Sequence, residues 1–449
     1  MVDRLSALAR ASGPWLAMGL LLAALVFAAR DGVVLMVLAV IVAGFLLFVV
    51  ALGLERAGRW LVVLGFFVAP WSAVVLPMAT FVTFADVFFA MGFGLLLPSM
   101  LLSRTSLRVP MLYTVGAIGS LSLGLLASLL VDDSVASLGM FARFVAGVLI
   151  VPLVFMVWKP PVRVIGHLAM AYALGTCASI GYGVTKGGER PGTRFIGMTE
   201  HPNILGITGL LGLALIPFIW TRIKPHHRWF WLGVAAVNAA AVWFSGSRAA
   251  LVVAIAVVLM WPVIERSLRG GAWMLLVGAV GVLVADQFFS VSGDSALARL
   301  MGGGSSWGSD AERSNLLRHY WHGFLERPLT GNGFEEAVLG HNVYLQVAFS
   351  MGVFGLIAFV LVLLAGAISL FTSPRPLHRL AYPVVAYAMI AMITSVIWDR
   401  YIWAPLALAF AAQVLDRSQL EDEDIRANLL SAEPDPAAAG RHAARFVHR

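Results

Sequence analysis

An all-α, polytopic integral membrane protein is the fold class this sequence predicts. It should have about 12–14 transmembrane helices and a long outer-face loop carrying short amphipathic helices. Three observations predict it. The 449 residues are 60% hydrophobic and only 12% charged, with a mean hydropathy of +0.88. Apolar runs of about twenty residues, the length that crosses a bilayer as a helix, recur along most of the chain. Basic residues collect in alternate turns between these runs, as the positive-inside rule requires. Lipid offers no hydrogen-bond partner to a bare backbone, so the runs must be helical.

The elements follow in order. The first run, about 14–30, comes after Arg4 and Arg10. It resembles a signal peptide in outline, but it lacks a small-x-small cleavage site and more spans follow at once, so it reads as a retained span. Further spans fall at roughly 33–54, 60–78, 80–102, 109–131, 137–158, 162–184, 203–220, 229–245, 247–264, 272–291, 342–371, 380–398 and 401–416. With the N-terminus cytoplasmic, one set of turns carries about fifteen Lys and Arg against about three Asp and Glu. The other set carries about ten against about twelve. The excess switches with every span, which places both termini on the cytoplasmic side.

Two long segments lie on the outer side, about 185–202 and about 292–341. Long loops among tight hairpins usually carry function. Within the second, SDAERSNLLRHYWHGFLE has helical spacing, with Leu316, Leu317, Tyr320, Trp321 and Phe324 on one face and Ser309 or Asp310 as the cap. The chain divides into N-terminal transmembrane helices (1–184), a region bearing the candidate chemistry (185–416), and a charged, Ala- and Pro-rich tail (417–449) expected to be largely disordered and cytoplasmic.

Composition also excludes function classes. A formal charge of +7 could suggest nucleic acid, but the basic residues sit in the inter-span turns. One cysteine, Cys177, rules out an intramolecular disulfide and a Cys-based metal site. There is no P-loop, HExxH or G-x-S-x-G. His319 and His322 have i, i+3 spacing, yet no third ligand is suitably spaced, so no metal or cofactor is expected. The absence of an internal repeat gives an inverted-repeat transporter no support.

Three outer stretches carry chemistry: Arg194 in GTRFIGMTEHPNILG, where Asn203 is the expected cap of the next helix; Arg248 in WFSGSRAALVV; and His341 with Asn342 in GHNVYLQV. Each opens a span on the same face. Arginine binds phosphate through a planar fork that keeps its charge, so the set suits an anionic substrate. A lone arginine at a span end also serves as a snorkelling anchor, and a lone histidine there as a cap. The long loop also carries Arg313 and Arg318. Asp86, Arg143 and Asp286 lie within spans, towards their outer ends. Arg143 could pair with Asp86 or Asp286, or line a substrate cavity.

Taken in order, TRFIGMTEHPNILG, FSGSRAALVV, and PLTGNGF running into GHNVYLQVAFSMGVFGLIAFV resemble the O-antigen ligase / O-antigen polymerase superfamily. The resemblance covers about residues 190–400, and WDRY around Asp399 and Arg400 fits the last outer turn. It implies a metal-independent, inverting glycosyltransferase of cell-envelope polysaccharide biosynthesis in the cytoplasmic (inner) membrane. Such an enzyme takes a glycan from an undecaprenyl (polyprenyl) pyrophosphate carrier and transfers it to a glycan, glycolipid or protein acceptor on the periplasmic or outer face. Carried over, Arg194 and Arg248 bind the pyrophosphate, His341 is general base to the acceptor hydroxyl or orients it, and Arg313, Arg318 and Asn342 are further candidate substrate contacts. Ligase and polymerase share these motifs, and the lipid A–core acceptor of lipopolysaccharide is not implied. A transporter or flippase for a lipid-linked glycan is the alternative from another class, although its sites should be reachable from both sides.

Overall fold

Small residues set how closely several of these helices pack. The computed structural model describes residues 33–76, 79–102, 108–186, 194–267, 269–272, 306–335 and 341–415, with a few isolated positions between 276 and 296. The expected spans at 14–30 and, for the most part, 272–291, together with Asp286 and the tail 417–449, lie outside them.

The helices are α1 (Val33–Leu52), α2 (Leu54–Val68), α3 (Phe84–Leu102), α4 (Met111–Leu129), α5 (Ser134–Trp158), α6 (Val162–Lys186), α7 (Pro202–Ile219), α8 (Arg228–Phe244), α9 (Arg248–Glu265), α10 (Ser306–Glu326), α11 (Val343–Ala367), α12 (Tyr382–Ile390) and α13 (Arg400–Val414). Among the described residues, seven are long and apolar enough to cross a membrane: α3, α4, α5, α6, α7, α9, and α11 with its extension to Thr372. This is the arrangement of a polytopic, multi-pass membrane protein.

α4 shows the packing rule. Gly116, Ser120, Gly124 and Ala127 are buried, while Ile118, Leu121 and Leu125 are exposed. A Cβ on Gly116 would stand 2.7 Å from the Ala358 carbonyl oxygen of α11. Lipid tails are as apolar as leucine, so burying leucine gains little there and close backbone approach decides which face packs. α13 is the opposite case, apolar on every side and buried along nearly its whole length, which makes it the central helix.

Three departures from the expected spans have clear causes. Residues in 75–83, expected to belong to two spans, form a small antiparallel hairpin, β1 (Val75–Leu76) with β2 (Ala79–Thr83). Its Val and Thr residues favour extended backbone. α12 stops at Ile390, and the chain to α13 is irregular. Side chains satisfy its carbonyls: Tyr387 Oη donates to Val396 O at 2.8 Å and Trp403 Nε1 to Ile397 O at 2.6 Å.

The third is inside α11, expected as one unbroken span over 342–371. Gly352 has φ 71° and ψ −175° and interrupts the helix. This backbone region is essentially restricted to glycine. The PLTGNGF segment plugs the break. Val353 N–H donates to Pro328 O at 2.8 Å, Asn332 N–H to Phe349 O at 2.8 Å, and Gly333 N–H to Ser350 O at 3.1 Å. Irregular backbone is tolerated at membrane depth where protein satisfies it. Gly331 (φ 73°) and Gly333 (φ 77°) let the segment turn in, and a Cβ on Gly331 would collide with the Ser350 carbonyl. Phe334 then seats among Phe141 and Phe144 of α5.

At the opposite end of the bundle a buried ion pair ties three elements. Arg379 forks onto Glu265 at the end of α9, Nε to Oε1 at 2.8 Å and Nη2 to Oε2 at 2.9 Å. Its Nη1 donates to Pro217 O of α7 at 3.0 Å, and His378 Nε2 lies 3.1 Å from the same carboxylate.

Candidate functional site

The candidate residues gather where α7, α9, α11 and α13 begin. The turn before α7 is organised by His201, not by Asn203 as the sequence suggested. Pro202 occupies the first helical position, and His201 before it is the extended N-cap (φ −147°, ψ 144°). Proline lacks an N–H and has φ preset for that position, while it keeps its predecessor extended. His201 Nδ1 accepts from Asn203 N–H at 3.1 Å. With the cap supplied by His201, the Asn203 side chain turns towards Arg194, and its Oδ1 accepts from Arg194 Nη2.

Arg194 also donates from Nε to Ser245 O at 2.7 Å, and Phe195 N–H donates to Phe244 O at 3.2 Å. Its strand therefore runs along the α8–α9 turn. That turn is Ser245–Gly246–Ser247, with Gly246 at φ 64° and Ser247 capping Ala250 N–H. Arg248 is the first residue of α9. One hydrogen-bonded unit thus holds Arg194 beside the turn that presents Arg248.

His341 precedes α11 with φ 48°, an uncommon value for a residue with a Cβ. The helix start is anchored on α12: Val343 N–H donates to Ala391 O at 2.8 Å and Tyr344 Oη to Ala388 O at 2.7 Å. Asn342, expected to contact substrate, is the N-cap of α11, its Oδ1 accepting from Leu345 N–H at 3.0 Å.

His201 joins these pieces. Partial burial, then the charges of Arg194, His341 and Arg313, hold its imidazole below the ordinary histidine range. Arg194, Arg313 and His341, from three separate stretches, therefore lie near enough for their charges to act on one imidazole. Arg313 arrives on α10, which runs unbroken from Ser306, so Ser309 and Asp310 lie within it and do not cap it. α10 rests on α11 through Tyr320, whose ring centroid is 4.8 Å from that of Phe349. Between the two helices a groove of about 530 Å³ is lined by Arg313, Ser314, Leu317, Arg318 and Trp321 of α10 and Leu345 of α11. Arg318 turns back on its own helix, donating to Ser314 O and Asn315 Oδ1.

A second group adjoins through Glu200. Asp399, at the mouth of α13, has its carboxyl pushed up to about 6, by burial first, with Arg400 and Arg143 opposing and Glu200 and Asp86 adding to the rise. Asp86 Oδ2 pairs with Arg400 Nη1 at 3.2 Å and accepts from Thr83 N–H and Oγ1. The ion-pair partner found for Asp86 is thus Arg400. Arg143 reaches this group because α5 backs so closely onto the chain at Trp398 that Gly147 could not carry a side chain.

The sequence reading missed His201 and Glu200. Their signal was present in TEHPN: two titratable residues directly before a proline that starts an apolar helix. Among the described residues, no group of three His, Cys, Asp or Glu is placed to hold a metal ion. No protein-family model matches the chain, and no curated protein matches it.

Proposed function

We propose that this protein is a membrane glycosyltransferase that moves a glycan from a polyprenyl pyrophosphate to an acceptor hydroxyl on the outer face of the membrane. The observation that carries the proposal is the hydrogen-bonded unit that joins Arg194 both to the turn presenting Arg248 and, through Asn203, to His201, within reach of the charges of Arg313 and His341. Arginines fixed at helix mouths suit a pyrophosphate whose charge grows as it leaves. An imidazole among them suits proton removal near neutral pH. The groove beside α10 joins arginines to leucine and tryptophan, a lining fit for a phosphate with a prenyl tail.

In the proposed step the acceptor oxygen attacks the anomeric carbon from the side opposite the pyrophosphate. The new C–O bond forms as the bond to the pyrophosphate oxygen breaks, and configuration inverts. His341 takes the hydroxyl proton, and the leaving pyrophosphate keeps the bonding electron pair against Arg194 and Arg248. The acceptor chooses between ligase and polymerase: a finished glycan passed to a lipid or protein, or one repeat unit passed to another.

Reconstitution with an undecaprenyl-pyrophosphate glycan and candidate acceptors, followed by product sizing, tests this. A single addition identifies a ligase and a ladder a polymerase. No product with any acceptor, together with glycan-carrier movement across vesicle membranes, would replace the enzyme with a transporter.

A further inference from the structure

We infer that His201 acts as a neutral hydrogen-bond donor, presenting Nε2–H to the pyrophosphate held by Arg194 and Arg248, with Arg313 near by. The inference rests on the proposed function and adds a residue that the motif pattern does not assign. The geometry starts from the cap. A ring nitrogen that accepts a hydrogen bond carries no proton, and Nδ1 accepts from Asn203 N–H at 3.1 Å. In the neutral ring the proton must then sit on Nε2, facing away from the helix. Charging the ring would place a proton on Nδ1, against a helix-start N–H and the positive end of the helix dipole. The charges of Arg194, Arg313 and His341 oppose it further. The loop behind is fixed as well, since Thr199 Oγ1 donates to His201 O at 3.0 Å.

His201 and Arg194 are set by one turn, because Asn203 serves both: its N–H goes to the imidazole and its Oδ1 to the guanidinium. The arrangement separates two roles for two histidines. His341 supplies a lone pair for a proton, and His201 supplies a proton for a lone pair. A neutral donor also leaves the count of cations unchanged, so the leaving group is gripped without a further fixed charge beside the base.

Two substitutions separate the donor from the cap. His201→Ser keeps a good N-cap and deletes the donor. His201→Gln places an amide N–H near the Nε2 position and weakens the cap. Inorganic pyrophosphate binding to the detergent-solubilised full chain, together with its thermal midpoint, reads both. We expect His201→Ser to melt like the wild type yet bind pyrophosphate about tenfold to a hundredfold more weakly. His201→Gln should melt lower yet bind within about threefold of the wild type. Wild-type binding in His201→Ser, or binding in His201→Gln no better than in His201→Ser, overturns the donor role and leaves the proposed function standing. A wild-type protein that ignores pyrophosphate removes the functional proposal, and this inference with it.

Discussion

His341 holds a backbone angle that costs an ordinary side chain about 1–2 kcal/mol, and the structure holds it there by fixing Val343 and Tyr344 to α12. Strain kept at a candidate base points to placement over stability. His341→Ala should lower transfer by about a hundredfold or more while the protein stays folded, as detergent size exclusion would verify. His341→Asn tolerates the same φ, so it should melt like the wild type and remain inactive. For Arg248→Lys, charge is kept and the fork is lost, so turnover with a polyprenyl-pyrophosphate glycan should fall at least about tenfold. Asp399 predicts a pH effect. Its carboxyl is raised from 3.8 to about 6 in the fold, so the native state binds the proton more tightly than the unfolded chain does. That stabilisation is complete below about pH 4 and is lost as pH rises through 6. Thermal midpoints of wild type and Asp399→Asn should therefore diverge from pH 4 to pH 7, with the wild type falling behind. Parallel curves would contradict the raised value. At this scale Arg248 and His341 stood out as candidates because each stands at the start of an apolar run. His201 did not, because a histidine before proline reads as loop until its Nδ1 is seen capping the helix.

The broken α11 is the element on which the site hangs, since its start follows directly on His341 and its break receives PLTGNGF. Gly352→Ala and Gly331→Ala each place a Cβ against backbone oxygen at a positive φ. Each should destabilise the fold by more than about 2 kcal/mol and abolish transfer. Gly94→Ala is the matched control: nothing lies within 4 Å of a Cβ there and φ is ordinary. Its thermal midpoint in detergent should stay at the wild-type value. An equal loss in all three would show that the break has no special role. The sequence did not reveal the interruption, because Gly352 sits in a run that is apolar on both sides. The clues were indirect: a run of about thirty residues where about twenty suffice, and two closely spaced glycines in PLTGNGF.

For the whole molecule, the positive-inside pattern predicts sidedness that impermeant maleimide labelling can read. The only native cysteine, Cys177, is replaced with alanine first. Glu326→Cys at the end of α10 should label from outside intact cells, and His226→Cys between α7 and α8 only after permeabilisation. The reverse pattern would put the candidate site on the wrong face for a lipid-linked donor. Hydropathy made the rough position of the spans legible, although among the described residues only seven of the expected 12–14 are helices long and apolar enough to cross a membrane. It gave no hint that α13 is central, because lipid and protein interior present similar apolar surroundings to a helix. Small residues such as Gly116 and Gly147 carry that information, and they are read only once the partner helix is known.

The Glu265–Arg379–Pro217 junction lies at the far ends of the two rods that present His201 and Arg248. α7 and α9 each have 18 residues, about 27 Å at 1.5 Å per residue. Pinned at one end, such a rod moves its free tip by about 2 Å for a 5° tilt, and misplacement of about 1 Å can cost a hundredfold in rate. The ion pair thus sets the tolerance of a site it never touches, as a hinge pin sets the gap at the tips of a pair of tongs. Glu265→Ala, remote from any substrate, should widen that gap and slow transfer while Arg194, His201 and Arg248 all remain.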